Sequence, residues 1–183
     1  GGIAQYELNQ LVLVLEDHQI ATADIDQWFE SVKLPQGFSK LKRSWLQGRV
    51  VRKRAAHIKA FASEMLSAIS LMGLFLQVVV VPLGIATLSN NIDCFMLLVA
   101  ITSLLLEGDY NDIADLREAT HSHHVLFKVL YPLCVKTKVH AAQHVADSWE
   151  FWQKLLNCFS PERNHRLMKS VMRFSYRRAP QTS

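Results

Sequence analysis

The chain has 183 residues, 50% of them hydrophobic and 20% charged, with seven Gly and five Pro. That composition excludes collagen-like, linker and disordered proteins, and the length suits a single domain able to bury a core. Twenty Lys and Arg against sixteen Asp and Glu leave a net charge of only +4, so the placement of charge carries more information than its sum. Cys94, Cys134 and Cys158 form no CxxC pair; neither a zinc ribbon nor a disulfide framework is indicated, and a reducing compartment fits.

The chain opens Gly1-Gly2-Ile3 with no basic leader and no leading apolar run, so the expectation is no signal peptide and a fragment of a longer protein. Leu8, Leu11, Val12 and Leu15 recur at helical spacing within residues 3–20 and predict an amphipathic first helix. A second short helix is expected over residues 22–32, with Thr22 as N-cap, Asp24 and Asp26 in its positive first turn, and Leu34-Pro35-Gln36-Gly37 ending it. Residues 1–38 therefore read as a helical hairpin.

Residues 40–59 contain Lys40, Lys42, Arg43, Arg49, Arg52, Lys53, Arg54 and Lys59, no acidic residue, and Trp45 inside the run. Neutralising phosphates releases counterions, and an aromatic ring can stack on a base. Arg49, Arg52, Lys53 and Arg54 are accordingly candidate DNA contacts. The plainer reading of the same run is a solvated helix face with Trp45 packed inward.

Residues 60–136 form the expected apolar helical core. No charge occurs between Glu64 and Asp93, which raises the question of a membrane span. Ser67, Ser70 and Gln77 interrupt the run, Pro82 and Gly84 break it, and the stretch from Cys94 to Leu106 is short for a return crossing. The expectation is two central helices, from Ala62 and from Ile92, covered on all sides, rather than a membrane segment. Glu107, Asp109, Asp112, Asp115 and Glu118 then precede His121, His123 and His124. The carboxylates lack a calcium-loop pattern and the histidines lack a defined fourth zinc ligand, so a solvated helix start and loop is the expected role.

His140 and His144 stand at i and i+4, a spacing used by metal ligands, but Ala141 removes the Glu of a His-Glu-x-x-His protease. Each imidazole is expected to bond a neighbouring carbonyl or carboxylate. Trp149, Phe151 and Trp152 are expected in an aromatic core cluster. The last helix is expected to start at Ser160-Pro161-Glu162, with Leu167, Val171 and Phe174 as its buried stripe and Arg163, Arg166, Lys169, Arg173, Arg177 and Arg178 outside. One carboxylate at the head of a cationic face suits a metal held beside a phosphodiester; a simple Glu162–Arg166 pair is the plainer alternative. Residues 138–178 are thus the C-terminal helices.

Several short motifs occur in a definite order: Lys59-Ala60-Phe61-Ala62-Ser63-Glu64-Met65-Leu66, Val81-Pro82-Leu83-Gly84-Ile85, Cys94-Phe95, Lys138-Val139-His140 with His144, Asn157-Cys158-Phe159, and Glu162-Arg163-Asn164-His165-Arg166 with Lys169. Over residues 45–177 this series resembles the C-terminal half of DDE transposase-derived proteins encoded by eukaryotic mobile elements. The resemblance implies an RNase H-like core interrupted by a helical insertion, then a helix delivering the third catalytic carboxylate. By it, Glu162 is the catalytic, Mg²⁺- or Mn²⁺-binding residue, and Arg163, His165, Arg166 and Lys169, with Arg173 on the same face, lie near the DNA backbone. His140 and His144 then belong to the approach to the active site. DNA and an upstream catalytic-core segment are the implied partners, and the nucleus or another reducing intracellular compartment the implied location.

A two-metal transposase also needs aspartates on strands ahead of that Glu, and neither Asp93 nor Asp147 falls in a strand context. The expectation is therefore a segment without DNA cleavage or joining of its own. A non-catalytic helical nucleic-acid-binding module and a helical membrane-associated protein are the alternatives. The fold expected in every case is all-α, a compact multi-helix domain of roughly six to eight helices with little or no sheet.

Overall fold

A computed structural model of the chain describes residues 2–34, 38–53 and 55–152. Among these residues the protein is all-α, with seven α-helices and no strand.

Helix α1 (Ile3–Asp17) begins at Gly2, whose N–H is capped by the Gln5 side chain at 3.0 Å. Its Leu8, Leu11, Val12 and Leu15 are fully buried, as the spacing predicts. Full burial of one such side chain is worth about 1.5–3 kcal/mol. Helix α2 (Thr22–Ser31) directs Ile25 and Phe29 into the same core. Its N-cap is Ala21, not Thr22: the Thr22 hydroxyl instead donates back to the Glu16 carboxylate.

The basic segment is not a helix face. Residues 38–53 and 55–61 form an irregular strap, turned at residues 43–49, that lies along α1. Chain without a regular ladder must satisfy its backbone groups elsewhere, and side chains of α1 and α2 do this. Asn9 both donates to the Val51 carbonyl (3.1 Å) and accepts the Val51 N–H (2.9 Å). Gln10 donates to Ala56 and Gln5 to Ala60, while Asp26 accepts the N–H groups of Leu46 and Gln47. Trp45, Leu46 and Ile58 anchor the strap in the core.

Helix α3 (Ala62–Phe75) starts where Glu64 reaches back to the Phe61 N–H. It runs on through a π turn (Leu76–Val80) and a 3-10 turn (Val81–Leu83), and stops at Gly84 in the left-handed region, φ 65°. The break at Pro82 and Gly84 is where the sequence places it. Helix α4 (Ser89–Glu107) begins three residues before the expected Ile92 and follows directly on a 3-10 turn at Ala86–Leu88. The continuous stretch Ala86–Glu107 is consequently 22 residues, like Ala62–Leu83, and both are long and apolar enough to cross a membrane. The expected shortness of the second stretch does not hold. Nor is it covered on all sides, since 28% of its apolar 18-residue window is fully buried, against 50% for the first.

Helix α5 (Ile113–Leu130) packs along α4 after the left-handed Gly108 and a 3-10 turn. It begins within the acidic cluster, as expected, but then passes unbroken through all three histidines. Helices α6 (Thr137–Ala142) and α7 (Val145–Trp152) return against α5, where Arg117 grips Asp147 and Glu150 above a cluster of Ile113, Leu116, Ala146 and Trp149. Of the expected aromatic core group only Trp149 is buried; Phe151 and Trp152 are exposed.

Candidate functional site

Two regions concentrate chemistry: the basic strap and a buried polar cluster. In the strap, Lys40, Lys42, Arg43, Arg52, Lys53 and Lys59 are exposed on an anchored backbone. Their carboxylate neighbours come from the helices beneath. Arg52 meets Glu16 at 2.6 Å, and Arg43 meets Glu30 at 3.8 Å. The Thr22 hydroxyl and then Arg52 hold the Glu16 carboxyl below its ordinary value, against the opposing effect of burial.

Arg49 has a different setting. Its guanidinium lies 4.9 Å from the centre of the Trp45 ring and bonds Glu64 at 3.1 Å, tying the strap to the first turn of α3. Trp45 is 1% exposed and is a core residue, with no face open for a base. Lys53 is exposed and Arg54 lies outside the described residues. So do Glu162, Arg163, His165, Arg166, Lys169 and Arg173, the whole predicted metal-and-DNA face of the last helix.

His140 and His144 are exposed and adjacent, ring centres 5.1 Å apart. His144 Nδ1 lies 3.4 Å from Asp147, the kind of carboxylate partner expected for it. A groove of about 620 Å³ opens between α2 and the strap, floored by Phe29, Leu41, Trp45 and Leu71 and rimmed by Lys40 and Lys42.

The buried cluster joins three helices. Glu7 from α1, Cys94 from α4 and His123 from α5 bring one ligand-type atom each to within 4.8 Å of one another. His123 Nε2 is 2.7 Å from Glu7 Oε2, an imidazole-to-carboxylate hydrogen bond between residues 116 positions apart. Glu7 Oε1 is buried and has no hydrogen-bond partner. Burial first, and then the neighbouring Glu7 charge, pushes the Cys94 thiol far up, so it is no free nucleophile. Phe127 packs between His123 (tilted, ring centres 5.7 Å apart) and Tyr131 (edge-on, 5.4 Å), and the Tyr131 hydroxyl accepts a bond from Asn91 at 2.9 Å.

His123 therefore corrects the expectation of a solvated tract: it is 5% exposed, while His121 is on the surface. Its neighbour His124 keeps a buried, unpartnered Nδ1, and burial, then Lys128 and the nearby histidines, lower its basicity. A helical-spacing signal for His123 was present, because Leu116, Thr120, His123 and Phe127 make one buried stripe on α5. Glu7 and Cys94 likewise occupy inward positions beside Leu8 and Phe95. No protein-family model matches the sequence, and neither a curated protein nor a solved structure is significantly similar to it.

Proposed function

We propose that the chain is a nucleic-acid-contacting helical segment of a transposase-related protein, inactive as a nuclease by itself. The observation that carries this reading is the strap: a row of exposed cations without an acidic residue of its own, on a backbone anchored by Asn9, Gln10 and Asp26. An anchored backbone spares the ordering of the strap itself when its cations meet phosphates, and each phosphate neutralised releases counterions. The ordered series of motifs supports the transposase kinship. In that reading Glu162 contributes one carboxylate for Mg²⁺ or Mn²⁺, the basic face behind it contacts DNA, and aspartates from a catalytic-core segment complete the site in the nucleus.

Fluorescence anisotropy with a short duplex tests it. Affinity should fall steeply between about 50 and 200 mM salt, and Lys40→Gln/Lys42→Gln/Lys53→Gln should lower the log–log salt slope by roughly 2–3. A duplex that fails to bind at the lower salt, or a slope untouched by the triple variant, would sink the reading. Mn²⁺ binding lost in Glu162→Ala separates a transposase-derived segment from a non-catalytic binding module.

The second reading, membrane association, draws on one observation: two 22-residue apolar stretches, each long enough to span a bilayer. Recovery of the expressed chain in detergent-free buffer argues against it, and sedimentation with membranes argues for it.

A further inference from the structure

We propose that Glu7, Cys94 and His123 form a buried site for one zinc-class divalent cation that clamps α1, α4 and α5 together. The inference is independent of nucleic-acid binding. It starts from an unpartnered buried oxygen. The Glu7 side chain is sealed from water at 0% exposure; its Oε2 is bonded to His123, and its Oε1 meets no N–H or O–H donor, with the Cys94 thiol beside the carboxylate. A bare carboxylate oxygen at that depth calls for an ion or a trapped water.

The third group decides between them. Cys94, itself fully buried, brings sulfur to the same spot, with all three ligand atoms no more than 4.8 Å apart. Thiolate, imidazole and carboxylate together are a donor set for zinc, whereas magnesium and calcium take oxygen. Charge then closes. On forming the S–Zn bond the thiol releases its proton to solvent, so two anionic ligands and a neutral imidazole surround a 2+ ion and the interior carries no net charge.

Tetrahedral zinc sets ligand atoms about 3.3–3.8 Å apart. Binding would open the 2.7 Å contact between His123 and Glu7: the proton they share leaves Nε2, the imidazole ending as its neutral Nδ1–H tautomer, and two bonds to the metal replace the hydrogen bond. A water would have to supply the fourth ligand. The cluster has no opening to a substrate, so the role is structural.

The test uses the full 183-residue chain, prepared with zinc and dialysed into metal-free buffer. Elemental analysis should give about one zinc per chain. Cobalt exchanged into it should show a sulfur-to-cobalt charge-transfer band, and X-ray absorption of the wild-type zinc form should count a single sulfur neighbour. Zinc and band should fall at least about tenfold in Cys94→Ser and in His123→Gln, while Cys134→Ser keeps both. A wild-type chain with neither zinc nor the cobalt band overturns the proposal, as does a zinc neighbour count with no sulfur or several. Because the wild-type measurements decide alone, a variant that fails to fold leaves the outcome intact.

Discussion

Asp26 governs how the basic strap is seated. Its two carboxylate oxygens accept the N–H groups of Leu46 (2.8 Å) and Gln47 (2.9 Å) from a position only 3% exposed. Burial, helped by the nearby Glu30 charge, raises its pKa above the ordinary carboxylate value and outweighs the backbone N–H groups of Gln47, Leu46 and Trp45 that pull it down. Asp26→Asn keeps one acceptor but turns an amide N–H₂ toward a backbone N–H, and should cost about 1–3 kcal/mol in urea unfolding. The pH dependence has a definite sign. A raised folded pKa means the ionised form is disfavoured in the fold, so this group's stabilisation is full below its unfolded pKa and is lost as pH rises through the folded one. The wild-type advantage over Asp26→Asn should therefore shrink as pH climbs from below 3.8. A constant or widening gap would contradict this account of Asp26.

At the scale of helices, α3 and α4 meet where Gly73 leaves room for Val99. A Cβ at position 73 would stand 2.8 Å from Val99 Cγ2, closer than real contacts allow, and the β-branched valine has little freedom to yield. Gly73→Ala should therefore destabilise by about 1–2 kcal/mol despite alanine's better helix propensity. Gly73→Ala/Val99→Ala should recover part of that loss in the same unfolding assay. If the single variant proves more stable than wild type, the tight crossing is wrong.

Much of this level was legible in the sequence. The α1 stripe of Leu8, Leu11, Val12 and Leu15, the break at Pro82–Gly84 and the acidic start of α5 follow from local periodicity and turn chemistry. The strap departs from the helix face that its letters allow because its conformation depends on distant partners. Asn9 and Gln10 bond it across more than 40 residues, and no window of sequence records that. The buried cluster was hidden in the same way: Glu7 and His123 are polar letters on apolar stripes, and their meeting is a tertiary fact.

For the whole molecule, the arrangement separates tasks. A core built from α1, α3 and the strap's own Trp45 and Ile58 holds the backbone of the basic segment still, and its cations face outward. The Arg49–Glu64 bond joins strap to core at a half-buried position, so one arginine from the basic run serves the fold while Lys40, Lys42 and Lys53 stay open to solvent. The account's central claim is that these lysines meet nucleic-acid phosphates. Mass-spectrometric lysine labelling with and without duplex DNA tests it most directly. Modification of Lys40, Lys42 and Lys53 should drop several-fold on DNA addition, with Lys128 on α5 unchanged as the internal control. Equal labelling of the strap lysines in both states, under conditions where DNA is bound, would contradict it.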